Sequence, residues 1–218
     1  MDLIDISTPL SAATPVWPGS TPVRLERRVN FDASSVRVTQ LTMDVHAGSH
    51  VDAPAHFLAD GAELSQIPLS LLVGPCRVLD VSAAVDSASG LIDSAGLEAA
   101  GFAAGVTRQG ITRVLLRTRR EGFWDQSLEF DEKFAALSLE AARHLIDAGV
   151  RLVGIDAPSL ETFSGDGAVH RELLGAGVVL LETLRLSHVA PGPYELICLP
   201  LALQGTEAAP VRAVLRRR

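Results

Sequence analysis

The alternation of apolar and polar residues along the chain predicts more strands than helices. Short apolar runs such as Val114-Leu115-Leu116 and Val153-Gly154-Ile155 are typical of strands that are covered on both faces. Aliphatic and β-branched residues are enriched in nine segments. We expect strands at 2–7, 23–31, 36–45, 76–81, 112–118, 151–156, 178–182, 194–200 and 211–216.

A helical period is clearest over 138–148, where Ser138 can cap the start and Gly149 can end the helix. The apolar stripe of this helix consists of Leu139, Ala142, Leu145 and Ile146. A shorter helix is predicted over 94–101 and ends at Gly101. We therefore expect an α/β or α+β fold with a mixed central sheet and a few covering helices. The chain has no internal repeat or linker, so residues 1–218 are predicted to form a single domain.

The strand pattern is interrupted by the segment His46-Ala47-Gly48-Ser49-His50-Val51-Asp52-Ala53-Pro54-Ala55-His56, which holds three of the six histidines. Its even positions carry all the histidines and the aspartate, whereas its odd positions carry small residues and one valine. Alternate side chains of a strand share a face, so one face would carry chemistry and the other would pack into a core. Imidazole and carboxylate are preferred ligands of zinc and similar cations. The alternative is that these histidines are ordinary core or surface residues.

Two metal ligands must lie close together, yet His46 and His50 would be roughly 13 Å apart in a fully extended chain. The chain must therefore bend between them, and Gly48 can adopt the backbone angles that a bend requires. A helix is opposed by Gly48, Val51 and Pro54. We expect a tight turn or bulge at Gly48, followed by a short extended run.

Composition narrows the class of protein and of partner. The net charge of −7 argues against nucleic acid or an anionic membrane as the main partner, and an apolar content of 47% is typical of a globular protein. No apolar run approaches the roughly 20 residues that span a membrane, and the first residues lack the features of a signal peptide. Cys76 and Cys198 lie in apolar runs and are interpreted as buried, unreactive thiols. These features favour a cytoplasmic protein that acts on a small molecule.

Further ligands must come from outside the 46–56 segment. Among the remaining histidines, His170 lies in the glycine-rich stretch 165–170, which we interpret as a loop, whereas His144 lies in a predicted helix and is interpreted as structural. Glu182 ends an apolar run, where an unpaired carboxylate would be costly to bury. His170 and Glu182 are therefore candidate ligands. Asp156 could orient a ligand histidine, although capping a turn is slightly favoured.

The motif His46-x-Gly48-x-His50-x-Asp52-x-Pro54-x-His56 resembles the signature of the metal-dependent cyclase superfamily, whose best-studied members are bacterial kynurenine formamidases. The resemblance extends over most of the chain. It includes Thr14-Pro15-Val16-Trp17-Pro18-Gly19, Gly74-Pro75-Cys76-Arg77-Val78, Gly154-Ile155-Asp156-Ala157-Pro158-Ser159 and Pro210-Val211-Arg212-Ala213-Val214.

The resemblance implies a role for each matching residue. His46 and His50 would bind one of two divalent metals, Asp52 would bridge both, and His56 would be the catalytic acid and base. His170 and Glu182 would complete the ligand set, with Glu182 also bridging. Trp17 would line the substrate pocket, although it could instead fill the edge of a core. The implied fold is a swivelling β/β/α domain that assembles as a homodimer or tetramer, and the implied metal is zinc or, second, manganese.

The implied activity is hydrolysis of N-formyl-L-kynurenine to L-kynurenine and formate. Two alternatives are a related hydrolase of a cyclic amide or ester such as isatin, and a non-catalytic metal-binding module. The second alternative leaves His56 without a role. The sequence departs from the formamidases in the segment 159–167, which is shorter and different, and at Thr183, where glycine or asparagine is more common. Both departures flank the candidate site and bear on the substrate more than on the metal.

Overall fold

The computed structural model describes residues 2–119 and 130–217. Twelve strands lie within these residues. They are β1 (Leu3–Asp5), β2 (Arg24–Val29), β3 (Val38–Thr42), β4 (His50–Asp52), β5 (Val73–Asp80), β6 (Leu91–Ile92), β7 (Arg113–Arg117), β8 (Ala136–Leu137), β9 (Leu152–Ile155), β10 (Val179–Glu182), β11 (Gly192–Pro200) and β12 (Ala208–Arg217).

The main sheet has the order β1-β12-β11-β5-β7-β9-β10-β4, and a further pairing of β4 with β12 closes it into a barrel. Strands β5, β7, β9 and β10 run parallel to one another, whereas the other pairings in this sheet are antiparallel. Long strand β12 makes closure possible because 208–210 pair with β4 and 214–216 pair with β1 along the same edge. Strands β2 and β3 form a separate hairpin, and β6 pairs with β8.

Six short helices lie within the described residues. They are α1 (Phe31–Ser34), α2 (Leu69–Leu72), α3 (Ser94–Ala99), α4 (Phe102–Gly105), α5 (Leu139–Asp147) and α6 (Ala168–Gly175). Single 3₁₀ turns occur at Pro54–His56, Leu64–Gln66 and Thr107–Gln109. None of the helices in residues 2–119 and 130–217 has both the length and the apolar character to cross a membrane.

The strands divide their side chains between two cores. Every strand of the closed barrel contributes to an interior cluster that includes Val51, Leu115 and Leu181. Neighbouring residues of the parallel strands, such as Leu116 and Leu180, instead face an outer core that α3 to α6 cover. Because side chains alternate along a strand, the residues next to Val51 and Leu181 in the chain point away from the barrel interior. This alternation directs His50, Asp52 and Glu182 toward the outside of the barrel, near α6.

The predicted fold class is confirmed, with a closed mixed sheet and a few covering helices. The helix predicted over 138–148 corresponds to α5, where Ser138 Oγ accepts from the Ala141 amide at 3.0 Å. The helix predicted over 94–101 ends earlier, at Ala99 of α3, and the left-handed Gly101 begins α4 instead. Organisation as a single domain stays a prediction.

The interpretation of the stretch around His170 as a loop was wrong, because His170 lies in the first turn of α6. Val169, Leu173 and Leu174 share one buried face of this helix. Their spacing is helical, but the helix has only eight residues and follows two glycines, so the period is short.

Candidate metal centre

Strand β4 lies between β10 and β12 and carries His50 and Asp52 on its outward face. His50 is the direct cross-strand partner of Glu182. Both faces of this short strand are buried, and Val51 and Ala53 occupy the barrel interior. The apolar odd positions therefore hold the strand in place, while the even positions bring an imidazole and a carboxylate to one point.

His46 reaches the same point through a bend at Gly48, whose φ is +68°. The bend places the ring centroids of His46 and His50 4.9 Å apart. His46 Nδ1 lies 3.1 Å and His50 Nε2 3.3 Å from Asp52 Oδ1. A Cβ at Gly48 would lie 2.6 Å from Leu10 Cδ2, so an added side chain would be strained by the left-handed backbone and would force the Leu10 side chain to shift. The predicted turn at Gly48 is confirmed.

The second half of the cluster comes from α6 and β10. His170 Nε2 lies 3.3 Å from Glu182 Oε1, and the other Glu182 oxygen lies 3.5 Å from His50 Nε2. Glu182 Oε1 also accepts from the Leu160 amide at 2.8 Å and from Ser159 Oγ at 3.3 Å. All five of these residues are buried. The loop that follows β9 thus holds the Glu182 carboxylate from one side and β4 approaches it from the other.

Two overlapping groups of donor atoms have the compactness of metal sites. His46, His50 and Asp52 form one group, and Asp52, His170 and Glu182 form the other, with the donor atoms of each within 4.8 Å of one another. Tetrahedral zinc ligands bonded at about 2.0–2.2 Å lie roughly 3.3 Å apart. The observed nitrogen–oxygen distances match that spacing, and Asp52 belongs to both groups.

Three atoms at the centre of the cluster test whether a cation fits. His50 Nε2, Asp52 Oδ1 and Asp52 Oδ2 are buried and have no hydrogen-bond partner of acceptable geometry. Leaving buried polar atoms unsatisfied costs about 1–3 kcal/mol each, and more for charged groups. These atoms approach one another without bonding, as expected of ligands that share a cation. The donor set therefore fits a divalent metal.

The buried carboxylates of the cluster also require a compensating positive charge. Burial by itself lowers the pKa of His50 and of His170, but the carboxylates around them raise each pKa to about 10. Burial by itself raises the pKa of Glu182, but the contacts of its carboxylate with the His170 and His50 rings outweigh burial and bring the pKa to about 2. No lysine or arginine occurs among the described residues that line the adjoining cavity. Positive charge must come from protons on the imidazoles or from a bound metal.

The outer nitrogen of each candidate ligand histidine lies near an acceptor. His50 Nδ1 lies 2.9 Å from the Gly48 carbonyl oxygen, His170 Nδ1 lies 2.9 Å from Glu161 Oε2, and His46 Nε2 lies 3.3 Å from Glu207 Oε1. A proton held on the outer nitrogen leaves the inner nitrogen free to bind a metal. All three rings are therefore oriented as metal-binding histidines usually are.

His56 lies beside this cluster without belonging to either donor group. The 3₁₀ turn Pro54–His56 places its ring centroid 4.2 Å from that of His46 and 6.1 Å from that of His170. Burial lowers the pKa of His56, with the nearby charges of Asp52 and His46 acting in opposite directions. A partly buried, neutral imidazole next to a metal cluster is suited to accept a proton.

A cavity of about 510 Å³ opens above the cluster. Its wall includes Trp17, Phe57, Phe130 and Phe163, and its floor includes His46, His50, His56, His170 and Glu182. Trp17 packs against Phe163 and Phe130 with ring centroids 5.0 and 5.3 Å apart. It remains 38% exposed, so part of its ring is available to a ligand. An apolar pocket with convergent polar groups is typical of a small-molecule site.

The structure brings together all seven predicted site residues. Trp17 lies on the wall of the cavity, five of the others lie on its floor, and the buried Asp52 joins them as a member of both donor groups. Asp156 is elsewhere. Its Oδ1 accepts from the amide and hydroxyl of Thr118 at 2.9 and 2.7 Å, and burial raises its pKa to about 6. It ties the ends of β7 and β9 together and does not contact a ligand histidine.

Sequence reasoning missed several residues around the cluster. They are Ser159, Glu161, Phe130, Phe163 and Glu207. Glu161 gave one weak signal, since it is an acidic residue in a segment of small and apolar residues. Glu207 gave none, because only the pairing of β4 with β12 brings it to His46.

Comparison with known proteins agrees with this site. A family profile described as "Putative cyclase" matches residues 4–162, which is most of the chain. The chain belongs to the cyclase family. Kynurenine formamidases of Bacillus cereus and Bacillus mycoides are 40% and 38% identical to it over 215 residues, which cover 98% of this chain and 96% of each relative.

Solved structures of similar proteins extend the family resemblance to three dimensions. A protein from Bacillus stearothermophilus described as a predicted metal-dependent hydrolase is 31% identical with a TM-score of 0.79, and the match covers 98% of this chain and 97% of that one. Isatin hydrolase A from Ralstonia solanacearum shares the fold, with a TM-score of 0.81 at 24% identity over 98% and 91% of the two chains. The family and the donor cluster together indicate a divalent-metal site in this chain.

Proposed function

We propose that this cyclase-family chain is a metal-dependent amide hydrolase that cleaves N-formyl-L-kynurenine to L-kynurenine and formate. The observation that carries the proposal is the convergence of two donor groups on Asp52 at the floor of an aromatic-walled cavity. The identity of 40% to a kynurenine formamidase over nearly the whole chain supports the choice of substrate.

We assign the two donor groups to two metal ions, zinc in the first place and manganese in the second. His46 and His50 would hold one ion, His170 would hold the other, and Asp52 and Glu182 would bridge them. A pair of divalent cations lowers the pKa of water and polarises a carbonyl group. The mixture of imidazole and carboxylate ligands is compatible with zinc, manganese or cobalt.

His56 is the proposed acid and base. Its pKa is lowered by burial, so the neutral form that accepts a proton prevails near neutral pH. The ring takes a proton from the attacking water as the new C–O bond forms at the formyl carbon. It then delivers that proton to the nitrogen as the C–N bond breaks, which releases formate and the aryl amine.

Trp17, Phe130 and Phe163 are the proposed contacts of the aryl ring. Aromatic side chains prefer edge-to-face or offset arrangements with a partner ring, and the exposed part of Trp17 offers one such surface. Holding the ring against this wall would place the formamide above the metal cluster. Isatin also carries an amide next to an aryl ring, and it is therefore the competing substrate.

A parallel assay of N-formyl-L-kynurenine and isatin on protein loaded with zinc or manganese tests the proposal. We expect formate release from the first substrate at a higher kcat/KM than ring opening of the second. Absence of formate release would refute the assignment, and preferential opening of isatin would replace it with the cyclic-amide alternative.

The role of His56 can be tested separately from metal binding. His56→Ala should lower kcat by roughly 10²–10⁴-fold, the usual contribution of a general acid or base, while the metal content persists. His188→Ala is the matched control, because His188 is exposed and its Nε2 contacts only the Asp5 carbonyl among the described contacts. Loss of metal from His56→Ala would show that His56 is a ligand and not the acid and base.

Assembly as a homodimer or tetramer and a cytoplasmic location are parts of the same proposal, drawn from the family resemblance and from composition. The size of the complex in solution, measured by light scattering, would distinguish the two assemblies.

A further inference from the structure

Glu161 is a buried carboxylate that lies outside both donor groups. Its Oε2 lies 2.9 Å from His170 Nδ1, and its Oε1 accepts from the Gly167 amide at 2.7 Å. The His170 amide also points at Oε2, at 3.4 Å. Two backbone amides and a ring nitrogen therefore converge on this carboxylate, which faces the outer nitrogen of a candidate ligand.

This contact decides which nitrogen His170 presents to the cluster. With Nδ1–H donated to Glu161, the lone pair is on Nε2, which lies 3.3 Å from Glu182 Oε1. The ring is also stacked on Phe57, with centroids 4.4 Å apart and an angle of 20° between the planes. Stacking on Phe57 restricts the plane of the His170 ring. The contact with Glu161 then selects which of the two flipped orientations the ring takes in that plane. A carboxylate in this position also makes the imidazole a stronger metal ligand.

The glycines of the preceding loop fit around Glu161. A Cβ at Gly165 would lie 2.5 Å from Glu161 Cγ, and Gly167, with a φ of +85°, turns its amide toward Glu161 Oε1. Ser159 Oγ accepts from the Glu161 amide at 3.2 Å and donates to Glu182 Oε1. The segment 159–167 thus encloses the carboxylate and connects it to both candidate ligands.

We propose that Glu161 is the positioning residue of His170 and that it sets the metal affinity of the group Asp52, His170 and Glu182. The inference rests on the proposed metal-dependent function. It predicts that loss of Glu161 weakens one of the two metal sites and leaves the other, which contains His46 and His50, unchanged.

Titration of metal-free protein with Co²⁺, in competition with a chromophoric chelator, tests the inference without any substrate. The proteins are the wild type, Glu161→Ala, Glu161→Gln and the control Glu172→Gln. Glu172 lies on the same helix as His170, but its carboxylate is paired with Arg143 at 3.0 Å. The melting temperature of each metal-free protein is measured in parallel.

The wild type and Glu172→Gln should bind two equivalents of Co²⁺. Glu161→Ala should bind one equivalent with unchanged affinity and the other about 10- to 100-fold more weakly, the usual effect of removing such a partner. Glu161→Gln should lose less Co²⁺ affinity than Glu161→Ala, because the glutamine amide oxygen can still accept a hydrogen bond from His170 Nδ1. The visible absorption bands of the weakened Co²⁺ site should change, whereas those of the other site should not.

Two results would overturn the inference. One is wild-type affinity for both equivalents in Glu161→Ala. The other is an equal weakening of both equivalents together with a lower melting temperature of the metal-free protein, which would show that Glu161 only supports the loop. A wild type that binds no metal would refute the proposed function, and the inference with it. Normal titrations without formamide hydrolysis would refute the proposed substrate alone.

Discussion

The metal cluster has two halves of different construction. His46, His50 and Asp52 come from seven consecutive residues, and a strand locked between two others holds the last two of them. His170 and Glu182 come from a helix and a strand, and a loop that contains Glu161 and Ser159 connects them to each other through hydrogen bonds. We refer to these as the strand half and the loop half. Backbone pairing positions the first, whereas side-chain contacts position the second.

The two halves also share a backbone feature, a left-handed residue close in sequence to a candidate ligand. Gly48 in the strand half and Thr183, directly after Glu182, in the loop half have left-handed backbones, with φ values of +68° and +63°. The Thr183 carbonyl accepts from the hydroxyls of Thr8 and Ser49, both at 2.7 Å. These bonds hold a β-branched residue in a conformation that it rarely adopts. Glycine or asparagine, common here in the formamidases, would adopt it with less strain.

The largest effect on metal binding is expected from removing the Asp52 carboxylate, which the two halves share. Asp52→Asn should abolish binding of both metals, because Asp52 belongs to both donor groups and is fully buried. Activity should fall below detection, and the rise in melting temperature that metal gives to the wild type should disappear. Elemental analysis after gel filtration measures the metal. Asp60→Asn, at an exposed position, is the control. Retention of one equivalent would show that Asp52 does not bridge.

The next largest effect, on stability, is expected from a substitution at Gly48, where the strand half bends. Gly48→Ala should lower the free energy of unfolding by about 2 kcal/mol, since the new Cβ would be strained and would meet Leu10. Gly110→Ala is a matched control, because Gly110 has a φ of +62° but no heavy atom within 4 Å of the added Cβ. The difference between the two variants in urea unfolding reports the contact with Leu10. Equal losses would mean that only backbone strain matters.

A smaller effect on metal affinity is expected from replacing Glu207, the carboxylate that contacts the outer nitrogen of His46 in the strand half. Glu207→Gln should weaken one metal equivalent by about 10-fold, at the lower end of the usual range. The contact with His46 is longer than that of Glu161 with His170, and the Glu207 side chain is 40% exposed. Competition titration measures the affinity. The effect should add to that of Glu161→Gln in the double variant if the two sites are independent. A loss confined to the equivalent that Glu161 affects would contradict the division into halves.

The smallest effect tests the strained residue of the loop half. Thr183→Gly should leave the free energy of unfolding unchanged or raise it by up to about 1 kcal/mol, because relief of strain exceeds the entropy cost of glycine. The backbone carbonyl that accepts from Thr8 and Ser49 is retained. Thr183→Ala keeps the strain and should be less stable than Thr183→Gly in the same measurement. A clear loss of stability in Thr183→Gly would show that the buried side chain contributes more than its strain costs.

The contrast between the halves explains what could be predicted from sequence. The candidate ligands of the strand half could be predicted from local signals. The alternation of polar and apolar side chains, Gly48 and Pro54 all lie within the same eleven residues as these ligands. His170 and Glu182 were candidates only because buried ionisable groups are rare, and the family resemblance chose them. The helix that carries His170 was missed because its period extends over only eight residues. Glu161 and Glu207 could not be assigned, because their partners are distant in sequence or depend on strand pairing.

Short segments of the chain were enough to predict the fold class, the capped helix α5, the bend at Gly48 and the parity that puts His50 and Asp52 on one face. These features follow from local physics, namely side-chain alternation, capping and backbone freedom. The pairing of β4 with both β10 and β12, which closes the barrel and sets His50 opposite Glu182, could be seen only in the folded chain. The same holds for which carboxylate orients which histidine. Such contacts depend on the summed packing of the whole core, which no short segment encodes.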